Sequence, residues 1–293
     1  MNILLLGQNG QVGFELKRVF ALLGTIQAPN RQELDLMDEG AVSAYLQKQT
    51  PALILNAAAY TAVDKAESEP TAAARINASL PGQLAEYAAE QGIQLMHYSS
   101  DYVYPGQGTQ PYSEEAPSGP LSVYGKTKLD GDNAISATGC QHWIFRTSWV
   151  YSARGQNFMK TMLRLGKEKT ELKVVADQIG APTPARLIAQ ISFMAYIKNI
   201  HSGVYHLAPR GETSWHGFAN AIFEQCITRG ITLAITPKSV KPIPTKDYPT
   251  PAQRPLNSRL SLQKLEQALG TTMPHWEDQL AQTLEEYLEY HHN

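Results

Sequence analysis

An α/β protein with a doubly wound parallel sheet and a smaller C-terminal lobe is the fold class that the sequence predicts. Short apolar runs alternate with longer stretches of helical period through the first half. The first of these runs leads straight into the glycine-spaced turn GQNGQVG at 7–13, and the alternation becomes irregular after residue 151. On this reading residues 1–151 form the sheet domain. Residues 152–293 form mainly a second lobe, with some segments returning to the sheet.

NILLL at 2–6 is a short continuous apolar run, as a strand covered on both faces requires. QVGFELKRVFALLG at 11–24 has apolar residues at helical spacing and stops at a glycine. Further strands are predicted at 25–28 (TIQA), 52–58 (ALILNAA), 93–100 (IQLMHYSS) and 142–151 (HWIFRTSWVY). Between them lie a helix over about 71–91, a Gly- and Pro-rich loop over 105–120, and a helix opening near Tyr124. In the second half, 171–177, 203–208 and 231–235 read as strands, and about 186–199, 214–229 and 275–290 as helices. Five prolines from 242 to 255 exclude a continuous helix or a central strand, so an ordered loop or linker is expected there.

Lys and Arg total 25 against 27 Asp and Glu, a formal charge of −2, so no global field draws the chain to nucleic acid or to an anionic membrane. Small-molecule chemistry is the default. MNILLLGQNG has only five apolar residues before Gly7 and no basic region, which fits neither a signal peptide nor a membrane span, and a cytoplasmic location is expected. Cys140 and Cys226 make no CxxC pair and are expected to stay reduced. The eight histidines show no metal-binding spacing, and His291 and His292 fall in what reads as a frayed tail.

Gly7, Gly10 and Gly13, with Asn9 among them, stand at a strand-to-helix turn of the Rossmann type. There, glycines let the backbone approach a pyrophosphate at a helix N-terminus. The spacing is GxxGxxG rather than GxGxxG, and a turn made only for tightness is the competing reading. After the second strand comes PNRQELDL, where Arg31 favours NADPH and Asp35 and Leu36 keep NADH open.

HYSSDYVYPG places Ser100 and Asp101 at the carboxyl end of a strand, the edge where such sheets bind ligands. Tyr124 opens the next helix, with Lys128 four residues on along the same face and Lys126 about 200° away. Alone, VYGKTK reads as a surface helix. In this order, behind a glycine turn and Ser100, it reads as a proton-transfer site: an ammonium lowers a phenol's pKa and a hydroxyl shares its proton, while nicotinamide carries hydride.

These motifs, with NAAAYTAVDKAE, FRTSWVY, DQIGAPT and RPLNSRL, make the chain resemble the extended short-chain dehydrogenase/reductases over essentially its whole length, and within them the branch acting on dTDP-4-dehydrorhamnose. The resemblance implies reduction of the C4 ketone of that sugar nucleotide by NAD(P)H, giving dTDP-β-L-rhamnose. By carry-over Tyr124 donates the proton, Lys128 lowers its pKa and holds the nicotinamide ribose, and Ser100, usually a threonine in the family, binds the reacting oxygen.

Gln11, Val12, Asp35, Leu36, Ala57, Ala58 and Ala59 match cofactor contacts. Asp101, Tyr102 and Trp149 match positions near the sugar, and Val63 and Asp64 lie in a loop that could reach it. Arg254 would cover the diphosphate, with a surface ion pair as its alternative. A homodimer also comes into view, in some relatives around magnesium held by glutamates at positions matching Glu15, Arg186 and Glu286. Arginine carries only donors, so no metal is predicted here, and Arg186 is expected to pair with both glutamates instead. An epimerase or dehydratase on the same scaffold, and a non-catalytic regulatory subunit, are the competing functions.

Overall fold

The computed structural model describes residues 1–291, so His292 of the predicted tail lies outside the described residues. Its central sheet is parallel and six-stranded. Five strands come from the first half: β1 (Asn2–Leu6), β2 (Thr25–Gln27), β3 (Leu53–Asn56), β4 (Gln94–Ser100) and β5 (Gln141–Thr147). After β6 (Val150–Tyr151), β7 (Leu172–Val175), β8 (Ile179–Gly180) and β9 (Thr183–Pro184), the sixth sheet strand is β10 (Gly203–His206), and the spatial order is β10-β5-β4-β3-β1-β2. The direction of winding reverses between β1 and β3. A sheet of this kind opens a crevice at the carboxyl ends of those two strands.

Each strand of the middle faces two cores, which is why it reads as a continuous apolar run. Ile3 and Leu5 of β1 pack on one side with Leu16 and Phe20 of α1 (Gln11–Phe20), while Leu4 and Leu6 pack on the other with Val42 and Leu46 of α2 (Glu39–Gln49). The irregular short helices α3 (Val63–Ala66) and α4 (Pro70–Ala74) lead into a π-helical turn at Arg75–Ser79, then α5 (Leu80–Gln91) and α6 (Val123–Ala137). A single helix was predicted over most of this stretch. The π turn places buried Asn77 where its Nδ2 donates to the Tyr60 carbonyl (3.1 Å) and Thr127 Oγ1 (3.2 Å), and its Oδ1 accepts from the Tyr60 N–H (2.8 Å).

The second half adds α7 (Phe158–Glu168), α8 (Ala185–Lys198), β11 (Thr213–Ser214), α9 (Trp215–Thr228), β12 (Val240–Ile243), α10 (Gln263–Leu269) and α11 (Trp276–His291). Leu187, Ile188 and Ile191 of α8 and Leu265 and Leu269 of α10 join the core under the sheet, whereas Met159, Phe218, Phe223 and Leu284 build a third core among α7, α9 and α11.

Three further predicted elements differ. ITLAI at 231–235 is not a strand: the Ala234 and Ile235 N–H groups instead donate to the Gly166 carbonyl of α7 (2.8 and 3.1 Å). The strand lies just beyond, where β12 pairs in parallel with β7 and takes Pro242 at the edge of a two-stranded ribbon, a position proline tolerates. Thirdly, the predicted strand 142–151 is cut at Trp149, whose left-handed backbone (φ 50°) turns the chain out of β5 and into β6. No helix among the described residues is long and apolar enough to cross a membrane.

Candidate active site

The glycine turn is built by close approach. Gly7 has φ 84°, and a Cβ there would lie 2.6 Å from the Ala57 backbone after β3. A Cβ on Gly13 would lie 2.1 Å from the Gly7 carbonyl oxygen, so α1 begins against the turn itself. Gly10 caps α1 with no side-chain hydrogen bond, which leaves the first-turn N–H groups to face an anion. The residues fit a dinucleotide: bare backbone, a helix N-terminus and a cleft at the winding reversal.

A cavity of about 870 Å³ runs from this turn across the carboxyl edge of the sheet. Gly7, Asn9, Gly10, Gln11 and Val12 line one end, with Arg31, Asp35 and Leu36 beside them and Ala57, Ala58 and Ala59 as a wall. Ser100, Asp101, Tyr102, Tyr124, Lys128 and Trp149 line the rest, together with Val63. Asp35 Oδ1 accepts from the Met37 N–H (3.0 Å), which fixes its loop. Arg31 is exposed and makes no ion pair with any described residue.

Ser122 caps α6 by accepting from the Gly125 N–H (3.2 Å), so Tyr124 and Lys128 fall in its first two turns. The helix presses close: a Cβ on Gly125 would lie 2.3 Å from the Tyr102 carbonyl, and one on Gly131 would lie 2.1 Å from the Asn77 carbonyl. Tyr102 packs edge-on against Tyr124, with ring centroids 5.4 Å apart. Lys126 is exposed and Lys128 buried, as their separation on the helix predicted.

Ser100 Oγ donates to Asp101 Oδ1 (3.1 Å) and accepts from the Tyr102 N–H (3.2 Å). Asp101 sits buried at the cavity wall, with the Ser258 and Ser100 hydroxyls on its carboxylate. Burial pushes Asp101 up to about 6 against the pull of the Ser258 and Ser100 hydroxyls.

Burial likewise pushes the Tyr124 phenol up to about 12, with Ser100 as the neighbour that lowers it. Lys128 is pushed down to about 8 by burial, with Asp132 opposing. Its ammonium is turned to the Tyr98 carbonyl at 2.6 Å. Contrary to expectation, Lys128 is not among the groups that shift the phenol, which stays a proton donor across neutral pH. It is loss of the Lys128 charge beside the cofactor site that is expected to make kcat/KM for reduction fall as pH rises through about 8. A pH profile with its alkaline limb at about 10 or above, near the ordinary lysine and tyrosine values, would refute this assignment.

Three predicted residues do not line the cavity. Gly13 lies beneath it. Asp64 and Arg254 hold one another: Arg254 Nη2 donates to Asp64 Oδ2 (2.7 Å), while Asp64 Oδ1 accepts from the Ala252 N–H (3.1 Å). The pair anchors the proline-rich segment onto α3.

The trio of Glu15, Arg186 and Glu286 also differs from expectation. Arg18, not Arg186, meets both glutamates, at 3.2 and 3.7 Å, and Arg186 donates to Gln282 (2.8 Å). Arg18 shares α1 with Glu15 at i+3 and so reaches it first.

The site has members that sequence patterns did not reveal. Trp215 lines the cavity stacked on Trp149, with ring centroids 3.8 Å apart and planes 14° apart, and its Nε1 donates to Gln178 Oε1 (3.0 Å). A Cβ on Gly180 would come within 3.0 Å of the Trp149 ring, so the bare backbone of Gly180 makes room for this indole. Thr147, Gly155 and Gln156 are among the other additions. The one signal for Trp215 was its place after Ser214, which caps α9 by accepting from the Gly217 N–H (3.0 Å).

A parallel sheet with a glycine turn at its winding reversal, and Ser100, Tyr124 and Lys128 along the same cleft, defines a Rossmann-type oxidoreductase that uses a nicotinamide nucleotide. The family model described as the RmlD substrate binding domain matches residues 1–289. A dTDP-4-dehydrorhamnose reductase of Shigella flexneri is 46% identical over 94% of this chain and 95% of its own length. Crystal structures of dTDP-4-dehydrorhamnose reductases from Clostridium acetobutylicum and from Bacillus anthracis, the latter in complex with NADP, each superpose with a TM-score of 0.89. They are 36% and 32% identical to the chain, and each match covers 97% of it and 99% of the solved chain. The chain belongs to the dTDP-4-dehydrorhamnose reductase family.

Proposed function

We propose that the protein reduces the C4 ketone of dTDP-4-dehydro-β-L-rhamnose to give dTDP-β-L-rhamnose. The observation that carries this is the convergence of Ser100, Tyr124 and Lys128 on one cavity with the glycine turn, in a chain of this family. Bound NAD(P)H supplies the hydride. Tyr124 delivers the proton to the sugar oxygen as negative charge develops on it, and Ser100 donates a hydrogen bond to that oxygen. Lys128 keeps a positive charge below the phenol and toward the nicotinamide ribose.

Asp101 accepts from a sugar hydroxyl, and the Trp149–Trp215 stack forms the apolar side of the sugar pocket. The nucleotide end is assigned to segments of 152–293 around the third core. No magnesium is assigned, because the Arg18 guanidinium, which carries only donors, meets both Glu15 and Glu286, and Arg186 supplies no carboxylate.

NADPH is the favoured cofactor. Arg31 stands at the cavity with no ion-pair partner among the described residues, and a guanidinium suits a 2′-phosphate. Replacing Arg31 by alanine is expected to raise KM for NADPH about tenfold while changing KM for NADH less than about twofold. Equal effects on both cofactors would place Arg31 away from the phosphate. The reading as a whole is tested by mixing the protein, NADPH and dTDP-4-dehydrorhamnose: one NADPH should be consumed per product formed. Product without net NADPH loss would favour an epimerase, and no reaction with either cofactor would sink the proposal.

A further inference from the structure

Beneath the reacting pair lies a buried polar chain that the chemistry above leaves unused. Asn56 and His97 are cross-strand partners on β3 and β4. Both are fully buried, and Lys128 is 1% exposed. Lys128 Nζ stands 3.1 Å from His97 Nε2, and His97 Nδ1 stands 3.1 Å from the Asn56 amide. An ammonium has three donors and no acceptor. With one donor on the Tyr98 carbonyl and one on His97, a single donor remains for the cavity.

That count requires Nε2 to present a lone pair. A neutral imidazole carries one proton, so Nδ1 must then be the N–H and needs an acceptor. Asn56 can supply it. With its nitrogen toward His97 its Oδ1 is buried without a partner, and a half-turn of the carboxamide exchanges the two ends. The opposite tautomer would set the Nε2–H against the ammonium, donor against donor, in a buried site.

We infer that His97 is a positioning residue for Lys128: its Nε2 accepts one ammonium proton, and Asn56 holds the imidazole in the Nδ1–H tautomer. The charged or titratable groups around Lys128 are His97 on β4, Tyr124 one turn earlier on α6, and Asp132 one turn later. Asp132 is paired with Arg146 on β5 at 2.9 Å. Burial and the Lys128 charge both hold His97 well below the usual imidazole range, in keeping with a neutral acceptor.

This inference rests on the reductase reading of the cavity, and its first test does not depend on substrate. In wild-type protein labelled with nitrogen-15 at histidine, long-range proton–nitrogen correlation is expected to place the His97 proton on Nδ1. A proton on Nε2, or an imidazolium, would overturn the inference. Wild-type protein that consumed no NADPH would defeat the reductase reading and leave this measurement standing.

The kinetic test compares two variants. His97→Leu removes the acceptor, so kcat is expected to fall about tenfold or more and the alkaline limb of kcat/KM to move down by about one pH unit. His97→Gln offers an acceptor and a donor in one amide, and is expected to stay within about threefold of wild type with the limb unmoved. Equal losses in both variants, or lower melting temperatures with an unmoved limb in both, would assign His97 to the fold alone and overturn the inference.

Discussion

Replacing Tyr124 by phenylalanine is expected to lower kcat by about 10² to 10⁴-fold, the range in which a positioned proton donor contributes. The change removes one oxygen and keeps the ring that packs edge-on against Tyr102, so neither α6 nor the cavity wall loses its shape. No neighbour stands ready to replace the donor. Ser100, which is assigned to hydrogen-bond the sugar oxygen, is an aliphatic alcohol and a far weaker acid than a phenol, and the Lys128 ammonium is directed to Tyr98 and His97 at 2.6 and 3.1 Å. NADPH affinity, measured by quenching of protein fluorescence, should stay within about twofold of wild type, because the phenol acts on the reacting oxygen rather than on ground-state binding. Turnover above about a tenth of wild type would mean that the proton comes from elsewhere.

Gly13→Ala is expected to act through the backbone, at a residue that does not itself line the cavity. The new Cβ would meet the Gly7 carbonyl oxygen at 2.1 Å, its carbon at 2.7 Å and Gln8 Cα at 2.9 Å, and no flexible side chain is available to give way. Either α1 lifts from the turn or the turn shifts toward Ala57, where Gly7 is already in close contact. Strain of this kind costs about 1–3 kcal/mol, and displacement of the helix N-terminus is expected to weaken NADPH binding about a hundredfold. Gly10→Ala is the control. Its Cβ would stand 3.3 Å from the same oxygen, so the fold should be affected much less. Urea denaturation and NADPH titration of both variants decide it, and a Gly13→Ala protein with wild-type affinity would show that the turn is not the cofactor cradle.

Much of this arrangement was legible in the sequence because it is local. A strand that runs into glycines, and a tyrosine and lysine one helical turn apart, are patterns that backbone geometry alone interprets. Elements with little buried surface were harder. α2 buries only Val42 and Leu46, so its apolar pattern is faint, although Asp38 accepting from the Ala41 N–H (2.9 Å) is a capping signal that a search for caps would have found. α7 carried stronger signs, Asn157 as its cap and buried Met159, Met162 and Leu163, and was missed beside more regular stretches.

Long-range partners were beyond reach. Nothing local says that Asp64 will meet Arg254, that Arg18 rather than Arg186 will take Glu286, or that Trp215 will cover Trp149. The misplaced strand at 231–235 has a similar origin. Its composition suits a sheet, but the parallel partner edge of β7 is taken by β12.

The two glycines of α6 bear on how this enzyme can be engineered. Gly125 and Gly131 each weaken an isolated helix by about 1 kcal/mol relative to alanine, which makes them obvious targets for raising thermal stability. Both are closed to that route. Alanine would drive a methyl group into the Tyr102 carbonyl at one and the Asn77 carbonyl at the other, and so push the helix bearing Tyr124 and Lys128 off the sheet edge. Consensus-style hardening of this protein should therefore begin on exposed, unencumbered glycines such as Gly92 and Gly139. Those residues have positive φ and open space, so residues that tolerate the left-handed region, asparagine above all, are the substitutions to try.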